Sequence, residues 1–233
     1  MNIPMVKVPT YTMTLPFSKT EVKFRPYVVK EEKILIMARE SDNNESMIQA
    51  VGDIVRECTF GAVDIEKAPM FDVQYAFLQI RGKSIGEKFD FNVTCGGCKK
   101  VIPISVGVDE FTLAITPGHV NKIQLDENFT IVMKYPSIKS FIKLYFDDNE
   151  QAIYDVVADC IETIYTDDEV YQNDGTDRKM FLDFLENLTV QQFEMLERFF
   201  ITMPILQKDI TFECPHCSEK NRTLINGVSN FFG

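Results

Sequence analysis

Phe89–Val106, FDFNVTCGGCKKVIPISV, and Asp209–Ile225, DITFECPHCSEKNRTLI, decide how this chain is organised. Both follow one plan: an alternating apolar strand, a Cys-x-x-Cys pair, a polar turn and a second alternating strand. Period-two alternation on both sides of a short polar turn is the mark of a hairpin. Each hairpin therefore presents two thiols at its tip. Zn²⁺ takes four ligands in a tetrahedron, and Cys-x-x-Cys turns supply them two at a time. Cys95, Cys98, Cys214 and Cys217 are thus expected to bind one structural zinc in a ribbon built from hairpins 88–106 and 207–225. The two glycines of Cys95-Gly96-Gly97-Cys98 are expected to permit the tight turn, and Pro215 presets φ in the other.

Three other uses of these cysteines compete with zinc. Unligated thiols are the plain alternative, and an iron–sulfur cluster takes the same number of thiolates. A thioredoxin-like pair belongs between a strand and a helix N-terminus, where its pKa falls; both pairs here lie between strands. Four thiolates would also close the shell that a catalytic zinc must leave open. His216 lies between the last two ligands and reads as a solvated turn residue, with ligation as its alternative. His119 follows Pro117-Gly118 in a loop. Cys58 and Cys160 fall on apolar helix faces and read as small buried hydrophobes.

Outward from the hairpins, Tyr11, Met13, Leu15, Val22 and Phe24 alternate around Pro16–Thr20 and predict a hairpin. Helical spacing predicts helices over about Val28–Arg39, from Asp42 through Val55, and over Phe71–Arg81. Asp42 with Glu45 resembles a capping box, as do Asp148 with Gln151 and Thr189 with Gln192. FTIVMKYP (Phe129–Pro136) predicts a strand. Ile153, Val156, Val157, Cys160, Ile161 and Ile164 predict one helix, and two more are expected at about 178–186 and 190–203. The last carries Phe193, Leu196, Phe199, Phe200 and Met203, read as core rather than partner surface. The expected fold is α+β: one compact domain over 1–233, with a β-rich, zinc-bearing part and a helical insertion at about 137–204.

The chain carries 24 Lys and Arg against 35 Asp and Glu, a net charge of −11. That balance opposes binding to a phosphate backbone, which relies on basic side chains releasing counterions. No stretch approaches the roughly 18 apolar residues of a membrane helix. The start lacks a signal peptide pattern, so reduced thiols or metal ligands are expected rather than a disulfide frame. With two histidines and no GxSxG, Walker or GxGxxG turn, no enzyme and no small-molecule substrate is expected. The acidic run Asp167–Asp177 fails as an EF-hand. Aligning Gly175 with the obligatory glycine puts Val170 and Phe181 at ligand positions. Phe231 and Phe232 near the end of the chain are read as rings that dock in a neighbouring subunit.

Thr14–Asn43, TLPFSKTEVKFRPYVVKEEKILIMARESDN, followed by Arg81–Glu87 (RGKSIGE), the TCGGC turn, Met133–Ser137 (MKYPS) and the terminal cysteine pair, resembles the T4-like bacteriophage baseplate hub subunit or hub assembly protein family. The resemblance implies a tailed-phage structural or assembly protein of the central hub, working by association with other baseplate hub and tail proteins. It brings no catalytic residues with it. The implied location is the host cytoplasm during assembly, and the virion tail baseplate if the chain is retained there. The alternative reading is a zinc-ribbon regulatory adaptor that binds protein or nucleic acid.

Overall fold

The alternating residues after Tyr11 do pair as strands. In a computed structural model, which describes residues 6–226 apart from 42, 148 and 150, β1 (Tyr11–Thr14) and β2 (Glu21–Phe24) form an antiparallel hairpin. Its turn is held from outside. The carboxylate of Asp72, fully buried at the start of α3 (Met70–Ile85), accepts the N–H groups of Phe17 at 2.9 Å and Ser18 at 3.1 Å.

Pro26 lies two residues past β2, and α1 (Val29–Glu40) begins three residues after it. Glu31 in its first turn accepts the Val28 N–H at 2.9 Å and pairs with Arg25 at 2.8 Å. Helix α2 (Asn44–Cys58) is capped by Asn43, whose side chain accepts from the N–H groups of Glu45 and Ser46. The predicted caps Asp42 and Asp148 lie outside the described residues, as do Phe231 and Phe232. Ile48, Val51, Ile54, Val55 and Cys58 share the buried face of α2, and Cys58 is the small buried hydrophobe expected. Helix α3 runs four residues past its predicted end, through Gly82. A Cβ there would stand 3.0 Å from Val108 Cγ1, so glycine allows the chain to pass.

After α3 come the strands of the cysteine hairpins, β3 (Lys88–Thr94) and β4 (Val101–Gly107), then β5 (Thr112–Ala114). These elements belong to one compact unit: Met1–Ile65, Phe71–Ala114 and Ile205–Gly233. Its last segment supplies β10 (Ile205–Glu213) and β11 (Lys220–Asn226), in a three-stranded sheet of order β11-β10-β5. The chain leaves this unit on β5 and returns on β10, which pair antiparallel with Ala114 opposite Ile205.

The second unit, Glu66–Met70 with Ile115–Pro204, is the insertion. It begins at Ile115, before the predicted start near 137, and it contains a sheet. Strands β6 (Lys122–Gln124), β7 (Thr130–Met133), β8 (Ile161–Tyr165) and β9 (Val170–Gln172) lie side by side in that order. Helices α4 (Ile138–Phe146), α5 (Ala152–Cys160), α6 (Arg178–Glu186) and α7 (Val190–Thr202) complete it. The helix predicted through Ile164 is corrected: α5 stops at Cys160 and the chain turns into β8. The β-branched and aromatic residues Ile161, Thr163, Ile164 and Tyr165 favour a strand. Ile161 and Ile164 fit the helical spacing as well, so periodicity alone misled.

The core of this unit gathers Ile131, Met133, Val156, Val157, Phe181, Leu196 and Phe199 around the sheet. Leu196, Phe199, Phe200 and Met203 of α7 are buried as expected; Phe193 is half-buried and stacks on Tyr154 at 4.7 Å between centroids. Thr189 and Gln192 form the predicted capping box. His119 belongs here too. Thr202 Oγ1 lies 2.8 Å from the Arg198 carbonyl and 2.9 Å from His119 Nδ1. Nε2 shares a hydrogen bond of 2.9 Å with the Tyr135 hydroxyl. Burial lowers the His119 pKa, in keeping with a neutral ring.

Among the described residues there are thus seven α-helices with small antiparallel sheets. No helix among them is long and apolar enough to cross a membrane. The unit that holds both cysteine hairpins carries three of the helices, so it is mixed rather than β-rich.

Candidate metal centre

The two hairpins close on the same turn, atom for atom. Strands β3 and β4 pair up to Thr94 opposite Val101, and β10 and β11 up to Glu213 opposite Lys220. In the first turn the Cys95 N–H donates to the Lys100 carbonyl at 2.9 Å and the Lys99 N–H to the Cys95 carbonyl at 3.1 Å. In the second, Cys214 N–H donates to Glu219 and Ser218 N–H to Cys214, both at 2.9 Å. The residue after each second cysteine is left-handed, with φ of 61° at Lys99 and 57° at Ser218.

This corrects the role given to the glycines. Neither Gly96 nor Gly97 has positive φ; the strained positions are filled by Lys and Ser. The glycines serve close approach instead. A Cβ on Gly97 would meet Glu219 at 3.3 Å and Cys217 Sγ at 3.5 Å. A left-handed non-glycine residue costs about 1–2 kcal/mol, partly offset because glycine loses about 0.5–1 kcal/mol more on ordering. Lys99→Gly and Ser218→Gly are therefore each expected to add up to about 1 kcal/mol of stability, read from denaturant midpoints. A lowered midpoint would mean that the lost side chain did more than relieve strain.

The four thiols converge. Cys95 Sγ lies 3.6 Å from Cys217 Sγ, and Cys98 Sγ 3.6 Å from Cys214 Sγ. All four sulfurs fall within 4.8 Å of one another. Disulfide sulfurs sit about 2.05 Å apart, so these are free thiols. Four thiolates held tetrahedrally at about 2.3 Å from a metal would be separated by about 3.8 Å. The set fits a metal ion in number, spacing and donor chemistry. Cys95 and Cys214 are buried, Cys98 is half-buried and Cys217 is exposed. Ile102, Val93, Ile104 and Phe212 pack around the buried pair.

Electrostatics splits the thiols. N–H groups of Cys98 and Gly97 and the Asn221 amide stabilise a thiolate at Cys95, bringing its pKa down to about 6. The Glu219 N–H favours a Cys217 thiolate too, but partial loss of water and the three neighbouring thiols outweigh it and push that pKa up to about 12. Four thiols in one space cannot all ionise without a cation among them. A bound metal reverses that balance, since a coordinating thiol is deprotonated outright.

Asn221 was missed by sequence reasoning, and nothing in a polar strand residue could have announced it. From β11 it accepts the Gly96 N–H at 2.7 Å, donates to the Glu219 carbonyl at 2.8 Å and reaches Cys95 Sγ at 3.5 Å. One amide thus ties the two turns together and orients the Cys95 thiol, the role that outer partners play at metal sites. His216 is exposed and its ring is outside the sulfur cluster; its N–H points to Cys214 Sγ at 3.5 Å. Of the basic residues near the hairpins, Arg222 is held by both carboxylate oxygens of Asp209.

A family model described as T4 bacteriophage base plate protein matches residues 8–233. The chain belongs to that family and is a phage baseplate component. No curated protein and no solved structure matches it.

Proposed function

We infer that this protein is a structural or assembly component of the central hub of a contractile-tail baseplate, acting by association and stapled by one structural zinc. The convergence of four thiols from segments 116 residues apart carries the zinc part of this reading. Such a set supplies a closed tetrahedral shell, whose value lies in cross-linking distant segments rather than in chemistry. The hub part rests on the ordered motifs from Thr14 to Ser137 together with the family match over residues 8–233. Partners are other hub and tail proteins, met in the host cytoplasm during assembly. Arg222, spent on Asp209, weakens the case for an adaptor that grips nucleic acid.

Native mass spectrometry of the chain mixed with the hub proteins of its own phage tests both parts. The expected spectrum holds a complex in which each copy of this chain carries one zinc ion. A metal-free complex would remove the staple but keep the hub role. Binding confined to peripheral baseplate proteins would remove the hub role.

A further inference from the structure

Helix α1 buries only Glu31 and Ala38, with Leu35 half-buried beside them, although half of its sequence is apolar. On the opposite face Val29, Lys33, Ile36, Met37 and Glu40 form one stripe, every member exposed. Val29 is 64% exposed and Met37 69%. These positions follow i, i+4, i+7, i+8, i+11, the spacing of a face that packs against another helix. Exposed apolar surface of this kind, bounded by charge, marks an interaction site rather than a solvated face.

The charges on the stripe say what covers it. We propose that α1 pairs antiparallel with α1 of a second copy of this chain. When two such helices are laid antiparallel about a twofold axis between Ile36 and Met37, Ile36 meets Met37 of the second copy. Lys33 then meets Glu40 of the second copy, and the reverse pair repeats on the other side of the axis. The stripe is thus self-complementary in shape and in sign, as a twofold interface requires. Neither Lys33 nor Glu40 makes an ion pair among the described residues, so both are available. Antiparallel helices also place the positive end of each dipole beside the negative end of the other. A groove of about 500 Å³ between α1 and α2, lined by Ile34, Met37, Ala38 and Ala50 among others, borders the stripe at Met37.

Twelve residues make a helix about 18 Å long. A contact of that length falls below the roughly 800 Å² per partner of a standard interface, which places the self-association among weak, transient contacts. Sedimentation equilibrium on the full chain, up to about 200 µM and at low salt, is the test. A monomer–dimer equilibrium is expected. Met37→Glu, at an exposed position that the fold does not need, should weaken it at least about tenfold. Lys33→Glu should weaken it about fivefold and Glu40→Lys likewise, while the double exchange restores it, because the pair is then rebuilt with signs reversed. A chain that stays monomeric throughout overturns the proposal. So does a dimer indifferent to Met37→Glu, or one that the double exchange fails to restore. Capture of α1 by a different baseplate protein, with no self-association, assigns the stripe to that partner and overturns it too.

Discussion

Cys214→Ser is expected to lower the melting temperature of the unit that bears the cysteine hairpins by about 10 °C. Structural zinc is worth about 10–16 kcal/mol in small peptides that are unfolded without it. Here the unit has its own core in Val51, Ile54, Val73, Phe77 and Leu78, so much of its stability survives metal loss. Losing a metal tie stands among the larger single-residue effects, about 4 kcal/mol, and each kcal/mol moves the melting point of a chain this size by about 2–4 °C. Cys214 is the informative position. It is buried, its sulfur lies 3.6 Å from that of Cys98, and among the described residues the four cysteines are the one candidate metal cluster joining β10 and β11 to β3 and β4. A strong chelator should bring the parent protein down to the variant and leave the variant unmoved. Identical melting of parent, chelated parent and variant would show that the thiols hold no structural metal.

Glu31→Gln should cost about 3 kcal/mol at neutral pH and should also flatten the acid limb of the stability curve. Glu31 is only 2% exposed, and its two oxygens serve Arg25 and the Val28 N–H. Burial alone would raise its pKa. The hydrogen bonds from Arg25, Val28 and Lys30 win, and the carboxyl is held at about 2. A carboxyl depressed in the folded state gives stability that is present above its unfolded pKa near 4.5 and lost as pH falls toward 2. Two and a half pH units correspond to about 3 kcal/mol. Glutamine keeps the shape but leaves the Arg25 guanidinium without its counter-charge in a mostly enclosed place. Urea midpoints at pH 7, 4.5 and 3 should converge between parent and variant as pH drops. A constant gap between them would mean that Glu31 acts by packing alone.

How much of this was readable beforehand depends on the range of the interaction. The two cysteine hairpins were legible because strand alternation and Cys-x-x-Cys spacing are local signals, and the four thiols do meet. The capping box of Thr189 and Gln192 and the buried face of α7 were legible for the same reason. What failed was either too short or too distant. Three-residue strands such as β5, β6 and β9 carry no period to detect, and they form because a neighbouring strand is already there. Ile161–Tyr165 satisfies a helical and an extended pattern equally, and its pairing with β7 decides. Asn221, His119 and Asp72 act across 125, 83 and 55 residues of sequence, on groups that no local pattern connects to them.

The order in which the segments are made gives the interleaved topology a further meaning. Cys95 and Cys98 leave the ribosome with their hairpin while Cys214, 116 residues behind Cys98, does not yet exist. At about 5–20 residues per second, translation leaves that half-site open for about 6–23 s. During this interval the insertion has been synthesised in full and can fold on its own core. Once it has, the two ends of its chain are brought near each other, and pairing of Ala114 with Ile205 no longer means closing a long floppy loop. A product cut short before Cys217 holds at most three of the four thiols and lacks β11, so neither the sulfur cluster nor the sheet of β10 and β11 can form in it.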